Sequence, residues 1–441
     1  MIKMGETLSQ RVWLNISTRW KLLDRDLTNM IRGAGTLIFT NVITRALGFL
    51  FPVIITWMFI PEEFGYIRYV LTMSRLMGET ITSGIPNALA QRIAASNNLH
   101  SRLVYSYNAF IAIGFLFIVI VPITYLFIPD NPIAWWMTLF VMGGLTIDAI
   151  FYAILRGRLL YNSMALYRIS SNLLQLVLVG VVFWIQLATP NVVLAIYGYV
   201  YLVPIVFLSI YNLKKSGFVV SNLTDQIKTS GDILKDLFFF SLPLMISAIA
   251  FGIISGIDVV FLEKWQGFES VGVYSAIKTL TMVYVFVPLG IVALLMPKIA
   301  SLSNFAKVKS YMLISLAACA VSSLAIMLVF YLFGDLIISI IYPPAYQGNL
   351  DILYILSLGM ACFSVYTILS QSWIGLNKPR VPAIILAVAA CINIIWDYFT
   401  IPSFGMRGIA WGLSVAYIFA FGVLSIWTFY KLRAPDIQRI W

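Results

Sequence analysis

Apolar residues run in blocks of about twenty along this chain, broken by short polar stretches. Twenty helical residues cross a hydrocarbon core of about 30 Å. The pattern predicts spans at about 34–59, 65–92, 105–128, 134–155, 169–187, 192–212, 237–262, 270–296, 310–334, 350–373, 381–400 and 406–430. The expected architecture is an all-α polytopic membrane protein of about twelve transmembrane helices. Little chain is left for a soluble domain.

Polar positions inside the blocks are few, and they cluster. The second span is the least apolar. Along it Arg68, Thr72, Arg75, Glu79 and Thr82 step by three or four, which lines one helix face. Arg45 lies near the middle of the first span, and Lys278 lies in the outer half of the eighth. A cation at the bilayer centre costs roughly 2.5–3.5 kcal/mol on insertion scales, so these side chains are expected to face water, a partner or a ligand. Guanidinium groups grip phosphates bidentately and an ammonium acts as a point charge, so the set suits a pyrophosphate or an acidic sugar. Two simpler roles compete with this one. Arg75 and Glu79 can neutralise each other as an i, i+4 pair, and Arg68 can snorkel to the surface. Among the membrane carboxylates, Glu79, Asp258 and Asp397 are candidate ion- or proton-coupling groups, and Asp148 is expected in a helix-bundle ion pair.

Charge adds a topology. The chain is 61% hydrophobic and 11% charged, with a formal net charge of +11. Basic residues alternate between loops: Arg92 and Arg102, then Arg156, Arg158 and Arg168, then Lys214, Lys215, Lys228 and Lys235, and so on to Lys431, Arg433 and Arg439. Only Lys264 and Arg407 fall in the opposite phase. Positive loops stay cytoplasmic, so both termini are expected inside an inner (plasma) membrane. Dispersed over many short loops, these charges argue against nucleic-acid binding. No cleavable signal core is visible; Trp13, Leu14, Trp20, Leu22 and Leu23 among basic residues fit either an interfacial helix or a partly ordered tail.

The longest polar connection divides the spans six and six. The expected organisation is an N-terminal cytoplasmic segment at 1–33, an N-lobe at 34–215, a linker at 216–235, a C-lobe at 236–433 and a tail at 434–441. Gly84-Ile85 with Arg92-Ile93-Ala94 matches Gly290-Ile291 with Lys298-Ile299-Ala300 at one constant offset. The pairs Gly84 with Pro86 and Pro288 with Gly290 are expected to kink equivalent helices. Six spans per half gives parallel repeats about a pseudo-twofold axis along the membrane normal, with a central cavity between the lobes.

Catalytic chemistry has little to work with. His100, the lone histidine, sits in a loop, and Cys319, Cys362 and Cys391 fall inside spans as small packing residues. No cofactor, metal or catalytic residue is expected. The outer loops are short, which weighs against a membrane glycosyltransferase or sugar ligase.

Several stretches carry a resemblance. They are Gly35-Thr-Leu-Ile-Phe-Thr-Asn41-Val-Ile-Thr-Arg45-Ala-Leu-Gly48; Phe64-Gly65-Tyr66 leading to Gly84-Ile-Pro-Asn87-Ala; Gly375-Leu-Asn-Lys378-Pro-Arg380; and Ile401-Pro402 before Gly405-Met-Arg-Gly408-Ile-Ala410. In their order and spacing, residues 30–433 resemble the lipid-linked oligosaccharide flippases, the polysaccharide branch of the multidrug/oligosaccharidyl-lipid/polysaccharide exporter superfamily. The resemblance implies two six-helix lobes, alternating access and a cationic cavity for a polyprenyl-pyrophosphate-linked oligosaccharide. It places Arg45, Arg68, Arg75 and Lys278 among cavity positions. It also implies a monomer in contact with membrane lipids, working beside glycosyltransferases and a polymerase of the same pathway. Lipid II flippases commonly carry two further spans, which this pattern lacks. The competing expectation on the same fold is a multidrug and toxin extrusion antiporter, which needs a carboxylate cavity centred on Glu79, Asp258 or Asp397.

Overall fold

The computed structural model describes residues 39–433, apart from 83, 97–98, 129–130, 217–230, 301–304, 377 and the side chains of some helical residues, Glu79 and Lys298 among them. The segment 1–33, most of the 216–235 linker and the 434–441 tail lie outside the described residues.

No strand occurs among the described residues. The N-lobe is built from α1 (Phe39–Met58), α2 (Pro61–Thr82), α3 (Ile85–Ala95), α4 (Leu99–Phe127), α5 (Pro132–Gly157), α6 (Tyr161–Trp184), α7 (Pro190–Tyr199) and α8 (Leu202–Ser216). The C-lobe is built from α9 (Gly231–Thr281), α10 (Val283–Ala300), α11 (Phe305–Ile341), α12 (Leu350–Gly375) and α13 (Arg380–Arg433). Nine helices among the described residues are long and apolar enough to cross a membrane. The sequence pattern expects about twelve spans, and the difference has two local causes. The 51-residue α9 would be roughly 75 Å long if straight, more than twice a hydrocarbon core. Gly267, at φ 76°, turns it, and Gly405, at φ 54°, turns the 54-residue α13 in the same way. Both are left-handed conformations that glycine adopts without steric cost. The polar stripe of α2 accounts for the other difference, because it keeps that helix out of the apolar set.

Apolar contacts and buried hydroxyls together hold the bundle. Pro288 has no N–H and leaves the Tyr284 carbonyl of α10 without its helical donor. The buried Ser364 hydroxyl donates to that carbonyl at 2.6 Å. Pro288 and Gly290 therefore sit inside a continuous α10, and the helix break falls earlier, at Met282, rather than at the expected kink. The first repeat does break where expected, at Gly84 before α3. Cys319 is buried, whereas Cys391 is exposed on the bundle surface, so not every cysteine is a core residue.

At the end bearing Pro61 and Phe268 the lobes touch backbone to backbone. A Cβ on Gly65 would lie 1.7 Å from the Phe268 carbonyl oxygen, and one on Gly272 would lie 1.9 Å from the Pro61 carbonyl oxygen. One constant offset relates Pro61 to Phe268 and Gly65 to Gly272. The contact is thus reciprocal, as a twofold axis between repeats requires. Tyr66 and Tyr69 stand edge-on to Phe268, each with ring centroids 5.6 Å apart. The Tyr346 hydroxyl donates to the Phe59 carbonyl at 2.7 Å, and Trp57 Nε1 donates to the Ile341 carbonyl at 2.8 Å. The Pro61 end is therefore shut. The lobes also touch at the opposite end, where Arg92 pairs with Asp236 at 2.6 Å and lies over the Phe240 ring at 5.5 Å, and where a Cβ on Gly84 would lie 2.3 Å from the Met245 side chain. Replacing Gly65 with Val is expected to push the lobes apart at the Pro61 end. Spin labels on the exposed Glu62 and Glu269 positions should then report a longer distance than in the parent, and an unchanged distance would contradict this packing.

Candidate functional site

Two adjoining cavities occupy the N-lobe face that looks toward the C-lobe. One, of about 540 Å³, is lined by Arg45, Arg68, Arg75 and Arg168, with Asn41, Asn172, Gln175, Tyr152, Tyr197 and Tyr201 among the other residues. The other, of about 440 Å³, shares Arg75, Arg168, Tyr152, Tyr197 and Tyr201 and continues past Asp148 to Asn87 and Arg156. The C-lobe gives only Thr279 and Met282 to the first cavity and nothing to the second.

Helix periodicity explains this convergence. Arg68 and Arg75 are two turns apart on α2, roughly 10.5 Å along its axis. Arg45 projects from α1 and is exposed to the cavity. Arg75 donates to the Tyr197 hydroxyl and lies over that ring at 5.6 Å. Arg68 has its Nε buried with no hydrogen-bond partner. It lines the cavity rather than reaching for the surface.

Two further guanidinium groups come from residues that the sequence pattern assigns to a loop. The fifth span is expected from about 169, yet α6 begins at Tyr161, which places Arg168 two turns into the helix. Arg168 donates to both oxygens of Asp148, at 3.0 and 3.3 Å, and stacks on Tyr152 at 4.2 Å. The Tyr167 hydroxyl donates to Asp148 at 2.5 Å. Asp148 is thus the bundle ion pair expected for it, and it orients one cavity arginine. Arg156 ends α5 and donates to Asn87 at 2.5 Å. One signal could have found Arg168: with Ser171, Asn172 and Gln175 it forms a second polar stripe at helical spacing, like that of α2.

Five guanidinium groups therefore face one carboxylate among the described lining side chains. Like charges this close in a low-dielectric surround repel strongly, and an entering anion relieves the repulsion. The side chain of Glu79, one turn beyond Arg75, is outside the described set.

Lys278 is not among these lining residues. Its ammonium donates to Asp258 Oδ2 and to the Ser255 carbonyl, the latter at 2.9 Å. The physical reason is local: the turn at Gly267 folds α9 back so that Lys278 meets a buried carboxylate on the preceding arm. Asp258 also accepts from Tyr274 and from the Val259 N–H, both at 2.8 Å. Asp397 is likewise fully buried, and it accepts from Asn393 at 3.0 Å. Its Oδ1 and the Asn393 oxygen are buried without a hydrogen-bond donor. The C-lobe thus gathers two carboxylates near one ammonium; none of the three lines the arginine cavity, although Asp258 is within electrostatic reach of Arg68.

The polysaccharide biosynthesis protein family matches residues 30–303, more than half of the chain, and the MatE family matches residues 243–399. A putative O-antigen transporter of Shigella flexneri is 23% identical over 219 residues, 48% of this chain and 52% of its own. Two solved structures share the fold. An inward-facing multidrug resistance MATE family transporter of the MOP superfamily matches with a TM-score of 0.67 at 17% identity, covering 89% of this chain and 94% of its own. The lipid II flippase MurJ, in an inward closed conformation, matches with a TM-score of 0.67 at 14% identity, covering 88% and 86%. The chain belongs to the polysaccharide biosynthesis protein family within the multidrug/oligosaccharidyl-lipid/polysaccharide exporter superfamily, and it is a multi-pass membrane transporter, not an enzyme.

Proposed function

We propose that this transporter flips a polyprenyl-pyrophosphate-linked oligosaccharide from the cytoplasmic to the outer leaflet. The observation that carries this reading is the cluster of five guanidinium groups, Arg45, Arg68, Arg75, Arg156 and Arg168, around the joined N-lobe cavities, with Asp148 the one carboxylate among the described lining side chains. A pyrophosphate offers the oxygens that paired guanidinium donors fit. In the proposed cycle the head group enters from the Arg92 end, which the alternation of basic loops assigns to the cytoplasm, while the lipid tail stays in the bilayer. The lobes then rock about the midplane. The contacts at the Arg92 end part to admit the head group and then reseal, and the reciprocal Gly65–Gly272 contact opens. Glycosyltransferases supply the substrate and a polymerase consumes it.

A cation-coupled drug antiporter is the second reading. It is favoured by the MatE match over 243–399 and by the buried carboxylates within it. A drug cation would need those carboxylates exposed. Here Asp258 is held by Lys278, Tyr274 and a backbone N–H, and the open polar cavity is cationic. We assign Asp258 and Asp397 instead to ion or proton coupling, with Lys278 supporting them rather than binding substrate. Glu79 remains a candidate for the same role beside Arg75.

Replacing Arg45, Arg75 and Arg168 together with Ala is expected to abolish surface-glycan export while folded protein stays in the membrane. Normal export would sink the flippase reading, and efflux of a cationic dye that depends on Asp258 would establish the antiporter. Lys278→Met leaves a buried carboxylate unpaired, a change that costs about 3–5 kcal/mol in comparable pairs. Thermal unfolding in detergent should show that loss, and adding Asp258→Asn should restore most of it. Asp397→Asn is expected to leave unfolding unchanged and to remove the dependence of transport on an imposed proton or sodium gradient; full retention of that dependence would exclude Asp397 from coupling.

A further inference from the structure

The arginines account for the charge of the cavity but not for the neutral polar groups beside them. Two of these, Asn172 and Gln175, lie on α6. Arg168, Ser171, Asn172 and Gln175 follow one another at helical spacing along one face, and three of the four line the cavity. Gln175 is only 3% exposed. Its Nε2 is buried with no acceptor, and so is the Ser171 hydroxyl. A buried amide left unpaired costs roughly 1–3 kcal/mol, so its retention at a cavity wall needs a reason. The two ends of a glutamine amide exchange by rotation about its last bond, which lets the wall residue present either donor or acceptor to the cavity. Asn172 is fixed differently. Its Nδ2 donates to the Arg168 carbonyl at 2.8 Å, which leaves its oxygen to accept. An amide donor and an amide acceptor one turn apart match a hydroxyl group, which both accepts and donates. Tyr152, Tyr197 and Tyr201 line the same space.

We infer that α6 is the sugar-reading element of the transporter: Asn172 and Gln175 bind hydroxyl or acetamido oxygens of the first sugar while the arginines hold its pyrophosphate. The inference rests on the flippase reading and goes further, because it makes the pyrophosphate-linked sugar, not the phosphate alone, the recognised unit. It also gives the substrate a direction. The first sugar lies toward Gln175, beside Arg45 and Arg68, in the cavity that Arg156 does not reach.

The test uses purified full-length protein in detergent and three soluble short-chain probes. They are farnesyl pyrophosphate and its conjugates with glucose and with N-acetylglucosamine through the second phosphate. The parent protein is expected to bind at least one conjugate about tenfold more tightly than farnesyl pyrophosphate, the worth of one or two well-made hydrogen bonds. Gln175→Leu and, separately, Asn172→Ala should remove that preference and leave farnesyl pyrophosphate binding unchanged. A purely structural role for either residue would weaken all three probes together. Equal affinity of the parent protein for all three, or a Gln175→Leu variant that keeps the preference, would overturn the assignment of α6 and leave the anion site intact. Failure of the parent protein to bind any of the three would overturn the flippase reading and this inference with it.

Discussion

Electrostatic repulsion among guanidinium groups is the constraint on which the rest of the molecule turns. Arg45, Arg68, Arg75, Arg156 and Arg168 are gathered around two polar cavities inside an otherwise apolar helix bundle. Such a cluster stands only if each member is either held by a neighbour or solvated. Asp148 and Tyr152 hold Arg168, Tyr197 holds Arg75 and Asn87 holds Arg156. The paired walls of the cavities leave room for water or for an anion. Neither lobe could bury these groups in its own core, because desolvating an unpaired charge costs several kcal/mol. The two lobes must therefore part somewhere, and the cationic face marks where.

That parting needs a hinge region able to seal and reopen. The reciprocal approach of Gly65 to Phe268 and of Gly272 to Pro61 brings two helix ends into backbone contact with no side chain between them. Aromatic edges from Tyr66, Tyr69 and Phe64 surround it. A contact built from backbone and ring edges has high shape specificity and modest strength, which suits a surface that must separate in each cycle. The lobes also divide the chemistry. The N-lobe carries the cationic face and the C-lobe carries the Asp258–Lys278–Asp397 cluster, so in the proposed cycle substrate and coupling ion would act on different lobes, which meet along α2 and α9.

Much of this was legible in the chain. Span lengths reported hydrophobic thickness, the stepping of Arg68 and Arg75 reported a polar face, and the offset between Gly84 and Gly290 reported a repeat. What escaped is equally physical. Arg156 and Arg168 read as loop charges because apolar runs mark where lipid begins, not where a helix begins, and α5 and α6 extend past their apolar runs. Lys278 resembles Arg45 and Arg75 in sequence, being a cation within a span. Only the turn at Gly267 brings it to Asp258, and a turn of that kind fixes tertiary pairing without leaving a periodic trace. Gln175 was invisible for a related reason: a neutral amide in an apolar helix carries no charge signal, and its unpaired state is a property of its neighbours.

The most direct measurement is flipping itself. Purified protein would be reconstituted into liposomes with a fluorescent polyprenyl-pyrophosphate-linked saccharide, and arrival in the far leaflet scored by a membrane-impermeant glycan-modifying enzyme. The N-lobe anion face predicts rapid transfer by the parent protein, competition by inorganic pyrophosphate, and transfer at the protein-free rate when Arg45, Arg75 and Arg168 are all Ala. Transfer by the triple variant at the parental rate would contradict it.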